Sequence, residues 1–201
     1  MNRLVALLLG YLFGSIPFSL VVGKLFYNTD VREHGSGNLG ASNTGRTLGA
    51  KAGLSVAVLD LSKALVAMLL AVWLTDKSTA IYAGIGATLG HCYPLFAKFK
   101  GGKAVSTAAG YLLGLSLFVN QNGWLIVLIA GITFFGMLYL FKMASLASLS
   151  FVTVSTIILF VLQDNLLYSF SFLLIALIVI VRHRSNISRI LNKEERKITW
   201  M

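Results

Sequence analysis

Residues 53–74 read GLSVAVLDLSKALVAMLLAVWL, and this stretch decides the class of fold. Crossing the hydrocarbon of a bilayer takes about 20 apolar residues in a helix that rises roughly 1.5 Å per residue. The stretch has that length and carries only two charged residues, Asp60 and Lys63, three positions apart. Because open strand edges cannot be hydrogen-bonded in lipid, it predicts a transmembrane helix.

Six further apolar segments extend this prediction over the chain of 201 residues. They are Leu4–Phe26, Ser78–Phe96, Val105–Val119, Gly123–Phe141, Ser145–Leu162 and Leu166–Val181. Only 12% of the residues are charged, whereas a soluble domain has about 25%. We therefore predict an all-α integral membrane protein with about seven transmembrane helices, forming one polytopic domain over residues 1–201. The single Cys92 excludes an internal disulfide framework.

The distribution of Lys and Arg predicts the orientation in the membrane. Apart from Lys63, inside a helix, 14 of these residues fall on one side of the seven-helix scheme and only Arg3 and Lys77 on the other. The positive-inside rule makes the first side cytoplasmic, with the N-terminus outside and the C-terminus inside. The cytoplasmic loops are then 30–51, 97–104 and 182–201, and the external connections are short: Thr75–Lys77, Asn120–Asn122 and Gln163–Asn165. The net charge of +10 thus reflects helix ends and not a nucleic-acid-binding face.

A glycine-rich run, Gly35–Gly49, forms the first of three polar islands. Glycine permits positive φ, so that successive backbone N–H groups can point into one concavity and hold phosphate oxygens. The next helix would add its N-terminus, and Arg46 a two-pronged contact. We predict phosphate binding here; the alternative is a flexible polar loop. The predicted ligands are Ser36, Gly37, Asn38, Gly40, Asn43 and Arg46.

The second island, His91–Thr107, ends one helix and opens another. Lys103 follows Gly101 and Gly102 and would project near the free N–H groups of the next helix, which predicts a second anion site. Ala97 occupies the position where a Walker A loop needs its first glycine, so the run is not a P-loop. Lys98 and Lys100 are interpreted as interfacial anchors.

The third island, Arg182–Lys197, is expected to continue the last helix out of the membrane. His183 and Asn186 are three apart and share a helical face, which suits a polar substrate pocket at the interface. The alternative is a basic amphipathic helix that lies on anionic lipid.

The remaining reactive residues favour structural roles. Asp60 and Lys63 are expected to neutralise each other inside the helix bundle. Cys92 has apolar neighbours and no activating acid, so a buried thiol is expected and not a nucleophile. No Ser-His-Asp set and no cluster with metal-ligand spacing can be placed in the sequence.

These islands resemble the three motifs of the PlsY family, bacterial membrane acyl-phosphate:glycerol-3-phosphate acyltransferases. The resemblance is carried by Gly35–Arg46, by His91–Thr107 and by Arg182–Arg189, where His183 and Asn186 fit His-x-x-Asn, and it runs over the whole chain. It implies acyl transfer from acyl-phosphate to the 1-hydroxyl of glycerol 3-phosphate, giving lysophosphatidic acid and phosphate, the first step of bacterial phospholipid synthesis. It further implies the cytoplasmic (inner) membrane and no use of acyl-CoA or acyl carrier protein.

With that chemistry, a hypothesis for the site follows. Acyl-phosphate is already an activated anhydride, so holding two anionic substrates together and stabilising developing charge suffices, without metal or cofactor. Ser36, Gly37 and Asn38 would hold the acyl-phosphate head. Arg46, Lys103 and Ser145 would hold the phosphate of glycerol 3-phosphate.

The reacting groups would be oriented by the third island. The predicted catalytic residues are His183, Asn186 and Ser36, and the general base is either His183 or a substrate phosphate. This hypothesis needs all three islands to converge at the inner leaflet. A transporter for phosphorylated solutes is the main alternative, but it predicts broken helices near the midplane and motifs on both faces.

Overall fold

The computed structural model describes residues 2–119 and 123–198. The predicted connection 120–122 and the end of the tail, 199–201, lie outside the described residues. All regular secondary structure in the described part is helical. The chain divides into two compact units, Met1–Asn120 and Gln121–Met201, which are described separately below.

In its described residues, 2–119, the first unit has six α-helices. They are α1 (Arg3–Gly14), α2 (Phe18–Tyr27), α3 (Ala41–Leu48), α4 (Ala50–Leu74), α5 (Lys77–Cys92) and α6 (Val105–Gly114), the last continued by a π-helical turn over Leu115–Val119. The second unit contains α7 (Gly123–Phe141), α8 (Ala144–Leu162), α9 (Leu166–Arg182) and α10 (Arg184–Leu191).

Every apolar segment predicted from the sequence coincides with one of these helices or with a consecutive pair. Four spans in the described chain are long and apolar enough to cross a membrane: α1 with α2, α4, α7 and α8. The number rises to five when α9 and α10 are counted as one bent span, and Val105–Val119 is a shorter apolar helix. The all-helical membrane fold is therefore confirmed, while the count of seven and the orientation stay predictions.

Glycine allows α1 and α5 to pack backbone against backbone. A Cβ placed on Gly10 would lie 2.8 Å from the Cα of Ala83, and one on Gly14 would lie 2.7 Å from the Cα of Ala87. From the other side, a Cβ on Gly90 would meet Gly14 and Ser15 at less than 3 Å. Small residues permit such approach between apolar helices, where packing and not the hydrophobic effect drives association. The two helices run parallel, so the chain leaves both at the same end of the unit.

The first polar island contains a helix that the sequence did not predict. Helix α3 begins directly after Gly40 and ends at Leu48, and Gly49, with φ 94°, turns the chain into α4. Gly45 and Gly53 face each other, and a Cβ on Gly53 would lie 2.7 Å from the Cα of Gly45. Helix α3 is thereby folded back against the start of α4.

Two predicted helix ends differ from the observed ones. Helix α5 ends at Cys92 and not at Phe96, because Pro94 disfavours helical geometry at the residue before it. The third island does not continue α9 straight, since α10 leaves at an angle of 61° and His183 forms the joint.

The close crossing of α1 and α5 gives a test of stability. Gly10→Ala should lower the free energy of unfolding by about 1–3 kcal/mol, because the new methyl group displaces the backbone of α5. Gly131→Ala on α7 is the control, since a Cβ there meets open space. Thermal unfolding of both variants in detergent checks this. Equal midpoints for Gly10→Ala and the unaltered protein would show that the helices do not rely on this contact.

Candidate functional site

The first anion loop, residues 35–40, is preceded by a short turn in which Asp30 pairs with Arg32. Its carboxylate accepts hydrogen bonds from the backbone N–H and the Nε of Arg32, at 3.0 and 2.9 Å. The side-chain hydrogen bond from Arg32 lowers the pKa of Asp30 well below its ordinary value. The loop then turns at Gly35 (φ 62°) and Gly37 (φ 67°), both in the left-handed region that favours glycine.

Asn43 holds this loop from beneath. Its Oδ1 accepts from the backbone N–H of Ser36 at 2.8 Å and from its hydroxyl at 3.1 Å. Its Nδ2 donates to the carbonyls of Val31 and His34 at 2.9 and 3.1 Å. The side chain is 2% exposed, so its amide is engaged inside the fold. The sequence predicts Asn43 as a phosphate ligand, and this stays a prediction; in the structure its amide supports the loop.

The other predicted ligands of the first island lie around this support. Ser36 is exposed, and Gly37, Asn38 and Gly40 are half-buried. Gly40 precedes the first turn of α3, and its carbonyl accepts the N–H groups of Asn43 and Thr44. Arg46 is exposed in the last turn of α3.

The second anion loop, residues 98–104, has an unusual backbone. Lys98, Phe99 and Ala104 have φ between 54° and 59°, a left-handed conformation that non-glycine residues rarely adopt. The N–H of Gly102 donates to the carbonyl of His91 at 3.0 Å, which ties the loop to the end of α5. Lys103 is half-buried next to the first turn of α6, as the sequence predicts.

The two loops lie against each other within the first unit. A Cβ on Gly102 would be 2.7 Å from the carbonyl oxygen of Leu39, so the backbones touch. Leu39 and Ala97 also share a buried cluster with Leu20 and Val31. The first two islands are therefore neighbours at one end of this unit.

A buried ion pair lies behind the second loop. Lys63 Nζ is 2.9 Å from the Oδ1 of Asp60, and both side chains are 2% exposed, in agreement with mutual neutralisation inside the bundle. His91 joins them, with its Nδ1 3.1 Å from Lys63 Nζ. The neighbouring Cys92 is fully buried, as expected of a thiol with a packing role.

In the second unit, Glu195 gathers three side chains. Its Oε1 accepts from the Ser145 hydroxyl at 2.8 Å and from the Asn186 amide at 2.7 Å, and its Oε2 accepts from the Nε of Arg189 at 2.8 Å. Burial raises the pKa of Glu195, but these donors together outweigh it, so the net shift is downward. Sequence reasoning missed this residue as part of a site. The signal was an acid in an otherwise basic tail, close in sequence to Asn186.

His183 is held in one orientation at the joint between α9 and α10. Its Nδ1 is 2.8 Å from the carbonyl oxygen of Val179, and a carbonyl can only accept, so Nδ1 carries a proton. In the neutral ring, Nε2 is then the basic nitrogen. The residue is 2% exposed.

The structure thus brings the backbones of the first two islands into contact at Leu39 and Gly102, and it links Ser145 with Asn186 through Glu195. The convergence of all three islands stays a prediction. Among the described residues, no group of three or more His, Cys, Asp or Glu side chains is placed to hold a metal ion.

Comparison with known proteins shows the family. The family model "Glycerol-3-phosphate acyltransferase" matches residues 4–193. Proteins of that name from Staphylococcus haemolyticus (strain JCSC1435) and Staphylococcus aureus (strain JH9) are both 43% identical over the full length of both chains. The chain belongs to the glycerol-3-phosphate acyltransferase family of the PlsY type, and it is an enzyme of that class.

Solved structures agree with this assignment. The crystal structure of PlsY, described as an integral membrane glycerol 3-phosphate acyltransferase, matches in its glycerol 3-phosphate form with a TM-score of 0.88 and 35% identity. The match covers 98% of this chain and 96% of that one. The lysophosphatidic acid form matches with a TM-score of 0.86 and 34% identity, covering 98% and 95%.

The contacts of Glu195 predict a pH-dependent stability. Because its pKa in the folded protein lies below the ordinary 4.5, the ionised carboxylate stabilises the fold above that pH, and this contribution is lost as the pH falls through the lowered pKa. Glu195→Gln should therefore destabilise the protein at pH 7, and the difference from the unaltered protein should shrink below pH ~4.5.

Unfolding midpoints between pH 7 and pH 3.5 check this, with Glu194→Gln as the matched control. Glu194 is the exposed neighbour in the same tail, so its substitution should have little effect at any pH. If Glu195→Gln lowers the unfolding midpoint by the same amount at every pH, the ionised Glu195 carboxylate is not the source of the stabilisation.

Proposed function

We propose that this enzyme transfers an acyl group from acyl-phosphate to the 1-hydroxyl of glycerol 3-phosphate. The products are lysophosphatidic acid and inorganic phosphate. The observation that supports it most is the pair of adjacent anion loops in the first unit, since a reaction between two phosphorylated substrates needs two phosphate-binding elements close together. Because the donor is a mixed anhydride, positioning and charge stabilisation can supply the catalysis.

The first loop takes the head of the acyl-phosphate in this proposal. Ser36, Gly37 and Asn38 are accessible on the loop, and the left-handed turns at Gly35 and Gly37 let backbone N–H groups converge on an anion. Asn43 acts as a positioning residue. Its amide oxygen accepts from Ser36 within the loop, and its amide nitrogen donates to the carbonyl of Val31 before the loop. Gly40 leaves the start of α3 open to the anion.

Arg46, Lys103 and Ser145 take the phosphate of glycerol 3-phosphate. Arg46 offers a planar pair of donors and Lys103 a compact charge. The hydroxyl of Ser145 donates to Glu195 in this structure, so a contact with phosphate requires its O–H to rotate from that carboxylate to a phosphate oxygen. Asn186, fixed by the same carboxylate, orients the acceptor substrate.

The proton of the attacking hydroxyl is taken either by His183 or by a substrate phosphate. Nε2 is the basic atom of the neutral His183 ring, because Nδ1 donates to Val179. A phosphate monoester, with a second pKa of about 6, has comparable basicity.

We further propose that the enzyme lies in the bacterial cytoplasmic membrane with its C-terminus inside. Supporting this are the 14 Lys and Arg residues on the predicted inner side. Both anion loops then face the cytoplasm, where free glycerol 3-phosphate is available. Acyl-CoA and acyl carrier protein are not needed as donors or partners.

Donor choice is the direct test of the proposed reaction. Purified protein with glycerol 3-phosphate should convert palmitoyl-phosphate and release one phosphate for each lysophosphatidic acid formed. Palmitoyl-CoA and palmitoyl-acyl carrier protein should give no product, and excess EDTA should not inhibit. Product from palmitoyl-CoA at a comparable rate would refute the donor assignment.

Arg46→Ala should raise the KM for glycerol 3-phosphate or abolish turnover.

The identity of the base can be decided by kinetics. If His183 is the general base, His183→Gln should lower kcat by roughly 10²–10⁴-fold. If substrate phosphate takes the proton, the loss should stay within about tenfold. His34→Gln is the control, because His34 is exposed.

A further inference from the structure

The ammonium group of Lys63 has all three of its protons matched by acceptors. Its Nζ lies 2.9 Å from the Oδ1 of Asp60, 3.1 Å from the carbonyl oxygen of Gly14 and 3.1 Å from the Nδ1 of His91. A charged lysine offers three donors and no acceptor, so each partner must accept one proton. The group thereby joins α4 to the end of α1 and the end of α5.

This proton count fixes the state of His91. If Nδ1 accepts from the ammonium group, the proton of the neutral ring must be on Nε2. The alternative, a proton on Nδ1 donated to Asp60, is disfavoured because Nδ1 and Oδ1 are 3.5 Å apart, longer than usual N–H···O distances. His91 and His183 are therefore opposite tautomers, since His183 carries its proton on Nδ1.

The other edge of the His91 ring lies against Gly102 of the second loop, at the point where this glycine approaches the first loop. A Cβ on Gly102 would be 2.9 Å from the Cε1 of His91 and would collide with Nε2, so only glycine lets the ring fit. The same Cβ would be 2.7 Å from the carbonyl oxygen of Leu39, in the first loop. The backbone of His91 adds a second tie, because its carbonyl accepts the N–H of Gly102 at 3.0 Å.

We propose that His91 is a positioning residue: a neutral, Nε2-protonated ring, fixed by Lys63 and Asp60, that sets the place of Gly102 and thus of Lys103 relative to the first loop. This rests on the proposed function, in which Lys103 holds the phosphate of glycerol 3-phosphate. His91 itself touches no substrate. The ion pair of Lys63 and Asp60 holds the Nδ1 edge of the ring in place, while the Nε2 edge packs against Gly102.

Two substitutions distinguish the roles of the two ring nitrogens of His91, because each keeps the hydrogen-bonding group of only one of them. In His91→Asn, the amide oxygen can replace Nδ1 as the acceptor for Lys63, but nothing reaches the loops. In His91→Gln, the amide nitrogen can replace Nε2–H at the loops. Both variants bury a neutral amide of similar polarity, so a difference between them reports on geometry.

Kinetics of the two variants test the positioning. His91→Asn should raise the KM for glycerol 3-phosphate and lower kcat/KM by roughly 10–100-fold, since misplacing a binding group by about 1 Å costs up to that much. His91→Gln keeps a donor at the loops but loses the acceptor for Lys63, so it should lower kcat/KM less than His91→Asn does, with His34→Asn and His34→Gln as exposed controls. The proposal is overturned if His91→Asn retains full kcat/KM, or if both variants lose activity equally while keeping the unaltered unfolding midpoint.

A spectroscopic measurement is independent of enzyme activity. Nitrogen NMR of ¹⁵N-histidine-labelled protein at pH 8, assigned with the single histidine variants, should show His91 protonated on Nε2 only. A ring protonated on Nδ1, or on both nitrogens, would overturn the proposal even in an active enzyme. If the acyltransferase assay fails for the unaltered protein while this tautomer is found, the proposed reaction is wrong but the fixed state of His91 stands.

Discussion

The backbone contact between α1 and α5 is the constraint on which the first unit depends. Gly10 and Gly14 on one helix, and Gly86 and Gly90 on the other, leave no room for a Cβ. Because the two helices are parallel, the first and second loops leave the bundle at one end, where Lys63 of α4 donates to the carbonyl of Gly14. In a bilayer, where apolar burial gives no preference between lipid and protein, such close packing is what positions the helices.

In each unit, the candidate site residues are supported by buried polar side chains whose hydrogen-bonding groups are matched. Asn43 does this under the first loop, Lys63 with His91 behind the second, and Glu195 under Ser145 and Asn186. An unmatched polar group in such a place would cost about 1–3 kcal/mol. A matched group fixes its partners in one geometry, and in the proposed reaction this preorganisation is what would let the loops present donors to phosphate without rearranging.

Sequence reasoning predicted the helical segments well, because apolar length is a strong signal in a membrane protein. It missed α3, whose eight residues contain too few apolar positions, and it extended α5 past Tyr93, where Pro94 ends it. The phosphate-binding residues that glycine spacing and charge predicted stay predictions, although the structure shows the left-handed turns at Gly35 and Gly37. Their supports could not be recognised, because whether Asn43 binds ligand or backbone depends on contacts between residues distant in sequence.

Direct transfer on preorganised loops, without a covalent enzyme intermediate, is the central claim. It is tested by mixing the purified enzyme with palmitoyl-phosphate alone in a rapid-quench experiment. Without acceptor, the account predicts no burst of phosphate and no increase in the mass of the protein. Adding glycerol 3-phosphate should then release phosphate and lysophosphatidic acid together. A burst of one phosphate per enzyme, with a palmitoyl group found on Ser36 or Cys92, would contradict it.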